Sequence, residues 1–381
     1  MSYPSVDALQ KVLVETVFHY AQDRKKAAGR ALGTLVEIIT YYALKAWGFR
    51  ENVAIERPLP EFGNPDIAHN VEFSLHPILR QHVIPLQLYT LPLTAAKLRH
   101  ALDAANFSHG DLVFKAAEVL SKGGVLRNAC TFGESATAFC IASVDESNAG
   151  QYGITVSALA RHPFAIFECK RVGVEEGMKK GPQSIEKAKQ GAYVARSASS
   201  LQKIRLRDGA LGGIIHCADG SLYHKPYAQL MEEVIASDDA ALLRDFVLTV
   251  GVVSNHGNWF TAEDHNKELN VLAQSYDWLL FLTDHGLAEF VSELLLKPKR
   301  ELEAARTAFL ASYGPQASAN RFTKVKMDAQ ADLVLRDYFA GHAAKIDSWF
   351  NVITPPRHSL AELKHELEIL NCKDWSRILY T

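Results

Sequence analysis

Apolar residues from about residue 5 to residue 47 recur every three to four positions. Val12, Leu13 and Val17 are followed by Leu32, Leu35, Val36, Ile39 and Leu44, which predicts two helices with a stop at Gly48. A turn-rich passage through Pro58, Pro60, Gly63 and Pro65 follows. The period then changes to two, with Val71, Phe73 and Leu75 alternating with Glu72 and Ser74, and this predicts a strand over 67–75. Helices are expected over 94–105 and 110–121, the second broken by Gly123-Gly124, and strands over 136–144 and 154–159. Phe164-Ala165-Ile166-Phe167 has no alternation, so it reads as a short strand buried on both faces. Pro182 opens a helix to about residue 197, and two apolar strands, 211–217 and 246–253, flank a helix near 228–236. Beyond residue 261 the pattern predicts nearly continuous helix: 269–284, 287–313, 329–350 and 359–370. The chain therefore reads as an α/β protein, a mixed β-sheet flanked by helices over 1–260 and a mostly helical C-terminal subdomain over 261–381.

With 381 residues, 48% hydrophobic and 22% charged, the chain has ordinary globular composition and can bury a substantial core. No apolar run reaches the ~20 residues that span a bilayer. The N-terminus lacks an export signal, so a cytoplasmic protein without membrane attachment is expected. Cys130, Cys140, Cys169, Cys217 and Cys372 are scattered, with no Cys-x-x-Cys pair, which argues against a disulfide framework or a zinc knuckle. A formal net charge of -2 gives no global attraction to nucleic acid, yet basic residues concentrate between Arg161 and Arg207.

The polarity of the chain switches abruptly at Glu168-Cys169-Lys170. Side chains alternate along a strand, so Glu168 and Lys170 share one face while Cys169 points to the other. An ordinary strand-end ion pair is the competing reading. Hydrolysis of a phosphodiester needs a divalent cation on hard oxygen ligands, a source of hydroxide and positive charge near the transition state. Glu168 and the Cys169 carbonyl are suited to Mg²⁺, and Lys170 to orienting water and offsetting charge. A second carboxylate from an adjacent strand has to complete the site. Glu37, on a largely apolar helical stretch, either edges the buried stripe or aims at such a site.

Pro65-Asp66 followed by Glu168-Cys169-Lys170 resembles the PD-(D/E)XK nuclease signature found in many type II restriction endonucleases. The order of elements is also similar to that family's common core: a helix carrying Glu37, strands, the Glu-x-Lys strand, a crossover helix and a further strand. The resemblance covers about the middle half of the chain and implies a restriction-endonuclease-like fold. It implies catalytic roles for Asp66, Glu168, Lys170 and Glu37, and a metal site of Asp66, Glu168 and Cys169. It also places Gln183, Lys187 and Gln190 of the following helix, with Lys179 and Lys180 before it, near DNA phosphates. The separation of Asp66 from Glu168 exceeds the family's usual spacing and requires inserted helices. Asp145, at the end of its own strand, is therefore an alternative carboxylate. The implied activity is Mg²⁺-dependent endonucleolytic cleavage of double-stranded DNA by a homodimer, with a cognate DNA methyltransferase as its companion. The alternatives are a structure-specific repair or recombination nuclease and a non-catalytic DNA-binding protein with a degenerate site.

Overall fold

The structure is a computed structural model that describes residues 5–61, 64–87, 91–107, 110–147, 151–172, 192, 199–217, 219–255, 267–315 and 320–380. Two N-terminal helices form as expected. Helix α1 (Val6–Thr16) is capped by Ser5, whose side chain accepts from Ala8 N–H. Helix α2 (Arg24–Leu44) is capped by Asp23 through Lys26 N–H. Gly48, at φ 97°, ends the helical run, a backbone conformation that a residue without a Cβ adopts freely.

The chain then builds a six-stranded mixed sheet whose spatial order follows its sequence order: β1 (Val53–Ile55), β2 (Phe73–Leu75), β3 (Ala165–Val172), β4 (Leu248–Asn255), β5 (Trp278–Leu282) and β6 (Phe350–Thr354). The first three strands pair antiparallel, with Phe167 opposite Phe73 and Ile55 opposite Phe73 on the other side. Strands β3, β4 and β5 are parallel, with Glu168 opposite Gly251 and Lys170 opposite Val253. All eight residues of β4 are buried, as expected of a parallel strand covered on both faces. Gly251 is a spacing requirement, since a Cβ there would meet the Tyr276 ring at 2.7 Å and Leu279 at 2.9 Å.

Several segments depart from the sequence expectation. Trp278–Leu282, predicted as helix, and Phe350–Thr354, of which only Phe350 fell within a predicted helix, are strands of the central sheet. The C-terminal region is therefore not simply helical; its side chains join α2 and the sheet in one core. The division expected at 260/261 falls outside the described residues, between neighbouring strands of that sheet. Residues 110–121 hold the short strands Val113–Phe114 and Glu118–Leu120 instead of a helix. Between β2 and β3 two helices and two strands were expected. This insertion contains one described helix, Ala95–Ala104, and is otherwise largely antiparallel, with Ile78–Gln87, Gln151–Ala160 and Ala138–Ser147 as the long strands of a five-stranded sheet.

Two buried polar clusters tie the parts together. Asp332 of helix α3 (Ala329–Gly341) accepts from Tyr42 Oη at 2.7 Å and from Lys45 Nζ at 2.8 Å, and Arg336 Nε lies 3.2 Å away. Asp277, just before β5, accepts from Thr249 N–H and Thr249 Oγ1, both at 2.8 Å, and from the Tyr227 hydroxyl. Among the described residues no helix is long and apolar enough to cross a membrane.

Candidate active site on two adjacent strands

Glu168 lies within the buried body of β3 and is 3% exposed. A carboxylate there needs partners, because an uncompensated buried charge is strongly destabilising. Its Oε1 is 2.7 Å from Lys170 Nζ, and its Oε2 accepts from the backbone N–H of Glu72 at 3.2 Å. Lys170 also reaches the Glu72 side chain, at 3.7 Å from Oε2. Glu72 directly precedes β2, the antiparallel neighbour of β3, and is itself buried. One ammonium thus bridges two carboxylates carried by adjacent strands. Burial alone would lower the Lys170 pKa, but the Glu168 carboxylate outweighs it and holds it above the ordinary lysine value.

A second ammonium stands on the other side of Glu72. Lys324 Nζ contacts Glu72 Oε1 and lies 3.0 Å from Glu56 Oε1 and 3.3 Å from Glu37 Oε2. Glu37 of α2 therefore does reach the site, through this shared lysine. Burial raises the Glu37 pKa, against the opposing pull of Lys324. Cys169 points to the opposite face, as the strand period requires. Its thiol lies in the main core and its pKa is pushed far up by burial.

The structure does not bring the two aspartates expected as the second carboxylate onto these strands. Asp66 belongs to the strand Asn64–Asn70 of a separate two-stranded sheet, and Asp145 to Ala138–Ser147 of the five-stranded sheet, where it faces Gly153. The side chains of both lie outside the described ones. The carboxylate that meets Glu168 is Glu72, which sequence reasoning passed over. Its signal was present: a glutamate between Val71 and Phe73, in the alternating run that forms β2. Lys324 and Glu56 carried no comparable signal. Lys179, Lys180, Gln183, Lys187 and Gln190 lie outside the described residues.

Among the described residues no group of three or more histidine, cysteine, aspartate or glutamate side chains is arranged to hold a metal ion by itself. Magnesium rarely uses such cages; it is bound by one or two carboxylates, water and substrate phosphate. Glu72 and Glu168 fit that requirement in donor chemistry, and the gap between them already accommodates a cationic group, the Lys170 ammonium. Comparison with protein-family models, curated proteins and solved structures found no match.

Proposed function

We propose that the chain is a Mg²⁺-dependent endonuclease of the PD-(D/E)XK type acting on double-stranded DNA, and specifically a site-specific type II restriction enzyme. The observation that carries this reading is the meeting of Glu72, just before β2, with Glu168 and Lys170 inside the adjacent strand β3. Glu72 takes the role that the signature's aspartate has in the family, in place of Asp66. The order α2, β1, β2, Glu-x-Lys strand, parallel β4 agrees with the family's core order and supports the same reading.

Glu72 and Glu168 would hold the ion. A divalent cation bound there supplies Lewis-acid polarisation of the phosphoryl oxygens and a lowered pKa for bound water. Lys170 remains protonated at neutral pH and is one-third exposed. It presents positive charge where phosphate arrives, and it offsets the charge that develops in the transition state without acting as a base. The Glu72 backbone N–H fixes Glu168, so that its other oxygen faces Lys170.

A homodimer reading a palindromic site, protected by a companion methyltransferase, belongs to the same proposal. The test is digestion of plasmid and phage DNA in Mg²⁺, followed by sequencing of fragment ends. Discrete recurrent ends support a restriction enzyme. Cuts confined to branched or damaged DNA point to the repair or recombination reading, and salt-dependent binding without cleavage points to a degenerate site.

A further inference from the structure

Lys324 is supplied by a turn more than 250 residues downstream of Glu37, Glu56 and Glu72, yet its ammonium sits among the carboxylates of all three. Its side chain is 7% exposed, against 33% for Lys170. The turn that carries it is held from both ends. Phe322 and Met327 pair as a β-bridge and are fully buried. Thr323 N–H donates to the Lys326 carbonyl at 2.8 Å, the Thr323 hydroxyl accepts from Lys326 N–H at 3.1 Å, and Asn128 N–H donates to the Val325 carbonyl at 2.9 Å. Lys324 therefore enters the carboxylate cluster from a fixed frame, whereas Lys170 has room to move outward.

Glu56 adds an independent observation. Its φ is 49°, the left-handed region that a residue with a side chain seldom enters, and such residues concentrate at functional sites. In that conformation its backbone N–H donates to the Glu72 carbonyl at 3.2 Å and its carboxylate reaches Lys324. The backbone is thus held in an unfavourable conformation at a residue whose carboxylate meets the lysine.

Two-metal phosphodiesterases hold their ions about 3.5–4 Å apart, and the pair stabilises the attacking and leaving oxygens. Lys324 instead puts a fixed positive charge on the far side of Glu72, taking Oε1 while Oε2 faces Lys170. We propose that the Lys324 ammonium is the built-in second cation of the site: a positioning residue that permanently fills the place between Glu37, Glu56 and Glu72, so that Glu72 and Glu168 take a single divalent ion. This rests on the nuclease reading for its catalytic meaning, while the occupancy of the cation position by Lys324 is testable without it.

The experiment counts bound Mn²⁺ by electron paramagnetic resonance in the full chain and in Lys324→Ala and Lys324→Arg, with unfolding midpoints measured in EDTA and in Mn²⁺. Lys324→Ala is expected to bind one more ion per chain than the wild type, with a midpoint lowered in EDTA and recovered in Mn²⁺. Lys324→Arg is expected to bind the wild-type number. Equal ion counts in Lys324→Ala and wild type, or a midpoint insensitive to Mn²⁺, would overturn the proposal. If Lys324→Ala does not fold in EDTA, circular dichroism follows it on addition of Mn²⁺; recovery of the native spectrum supports the proposal, and a chain that stays unfolded overturns it. A wild type that binds no ion and cleaves no DNA counts against the nuclease reading instead, because the Lys324 test depends only on the difference between variant and wild type.

Discussion

Replacing Glu72 by Gln separates the role of this carboxylate in the site from its role in the fold. Glu72 interacts with two ammonium groups, at 3.7 Å from Lys170 Nζ and in contact with Lys324 Nζ. At an effective dielectric of about 20, unit charges roughly 4 Å apart attract by about 4 kcal/mol, so the gross attraction is on the order of 8 kcal/mol. Against it stand the repulsion from Glu168 and Glu37 and a desolvation penalty of several kcal/mol for a carboxylate only 8% exposed. These contributions nearly cancel. Gln keeps the shape and one acceptor oxygen, so the stability change should be that of a weakened charge-assisted hydrogen bond, about 1–3 kcal/mol, or a few degrees in the unfolding midpoint. Cleavage has no such compensation. Loss of one electrostatic element of a transition-state site costs roughly 10²–10³-fold in rate. Thermal unfolding and single-turnover cleavage of plasmid DNA, run side by side on Glu72→Gln and Asp66→Asn, measure both effects. A folded Glu72→Gln that cleaves at the wild-type rate would refute the reasoning, as would an Asp66→Asn that is inactive where Glu72→Gln is active.

Asp332→Ala should be among the most destabilising single changes, about 3–5 kcal/mol by denaturant unfolding, because it leaves Lys45 and Arg336 buried without their shared carboxylate. His76 predicts a pH dependence. It is fully buried, Nδ1 must donate to the Ala160 carbonyl at 2.8 Å, and Nε2 accepts from the Ser74 hydroxyl at 2.7 Å. Burial is the main cause that pushes its pKa down to about 3. The unfolded chain therefore takes up this proton from about pH 6.5 downward while the folded chain does not, and stability falls as pH is lowered, by roughly 2 kcal/mol at pH 5. His76→Gln should flatten that slope in unfolding curves taken between pH 7 and pH 5.

Much of the sheet was legible because its strands differ in pattern from its helices. Glu168 and Lys170 were readable from the strand period alone, and Glu37 from its place on an apolar helical face. Glu72 was missed because Pro65-Asp66 matched the signature, although the alternation around Val71 and Phe73 already marked Glu72 as a charge entering a buried strand. Trp278–Leu282 was misread because a run of five apolar residues has no periodicity with which to tell strand from helix. Phe350–Thr354 carried a β-branched signal, Val352-Ile353-Thr354, at the end of a helical pattern that obscured it. Lys324 was invisible for a different reason. Its contacts with Glu37, Glu56 and Glu72 arise from packing between segments more than 250 residues apart, and no local spacing records that.

The central claim is that Glu168, Glu72 and Lys170 form a site that cuts DNA phosphodiesters. The most direct measurement is single-turnover cleavage of DNA by the wild type, Glu168→Ala and Lys170→Ala in Mg²⁺, with DNA binding followed in parallel by fluorescence anisotropy. The account predicts Mg²⁺-dependent cleavage by the wild type, abolished by EDTA and by either substitution, with binding retained in both variants. Intact DNA after incubation of the wild type in Mg²⁺ and in Mn²⁺, or undiminished cleavage by either variant, would contradict it.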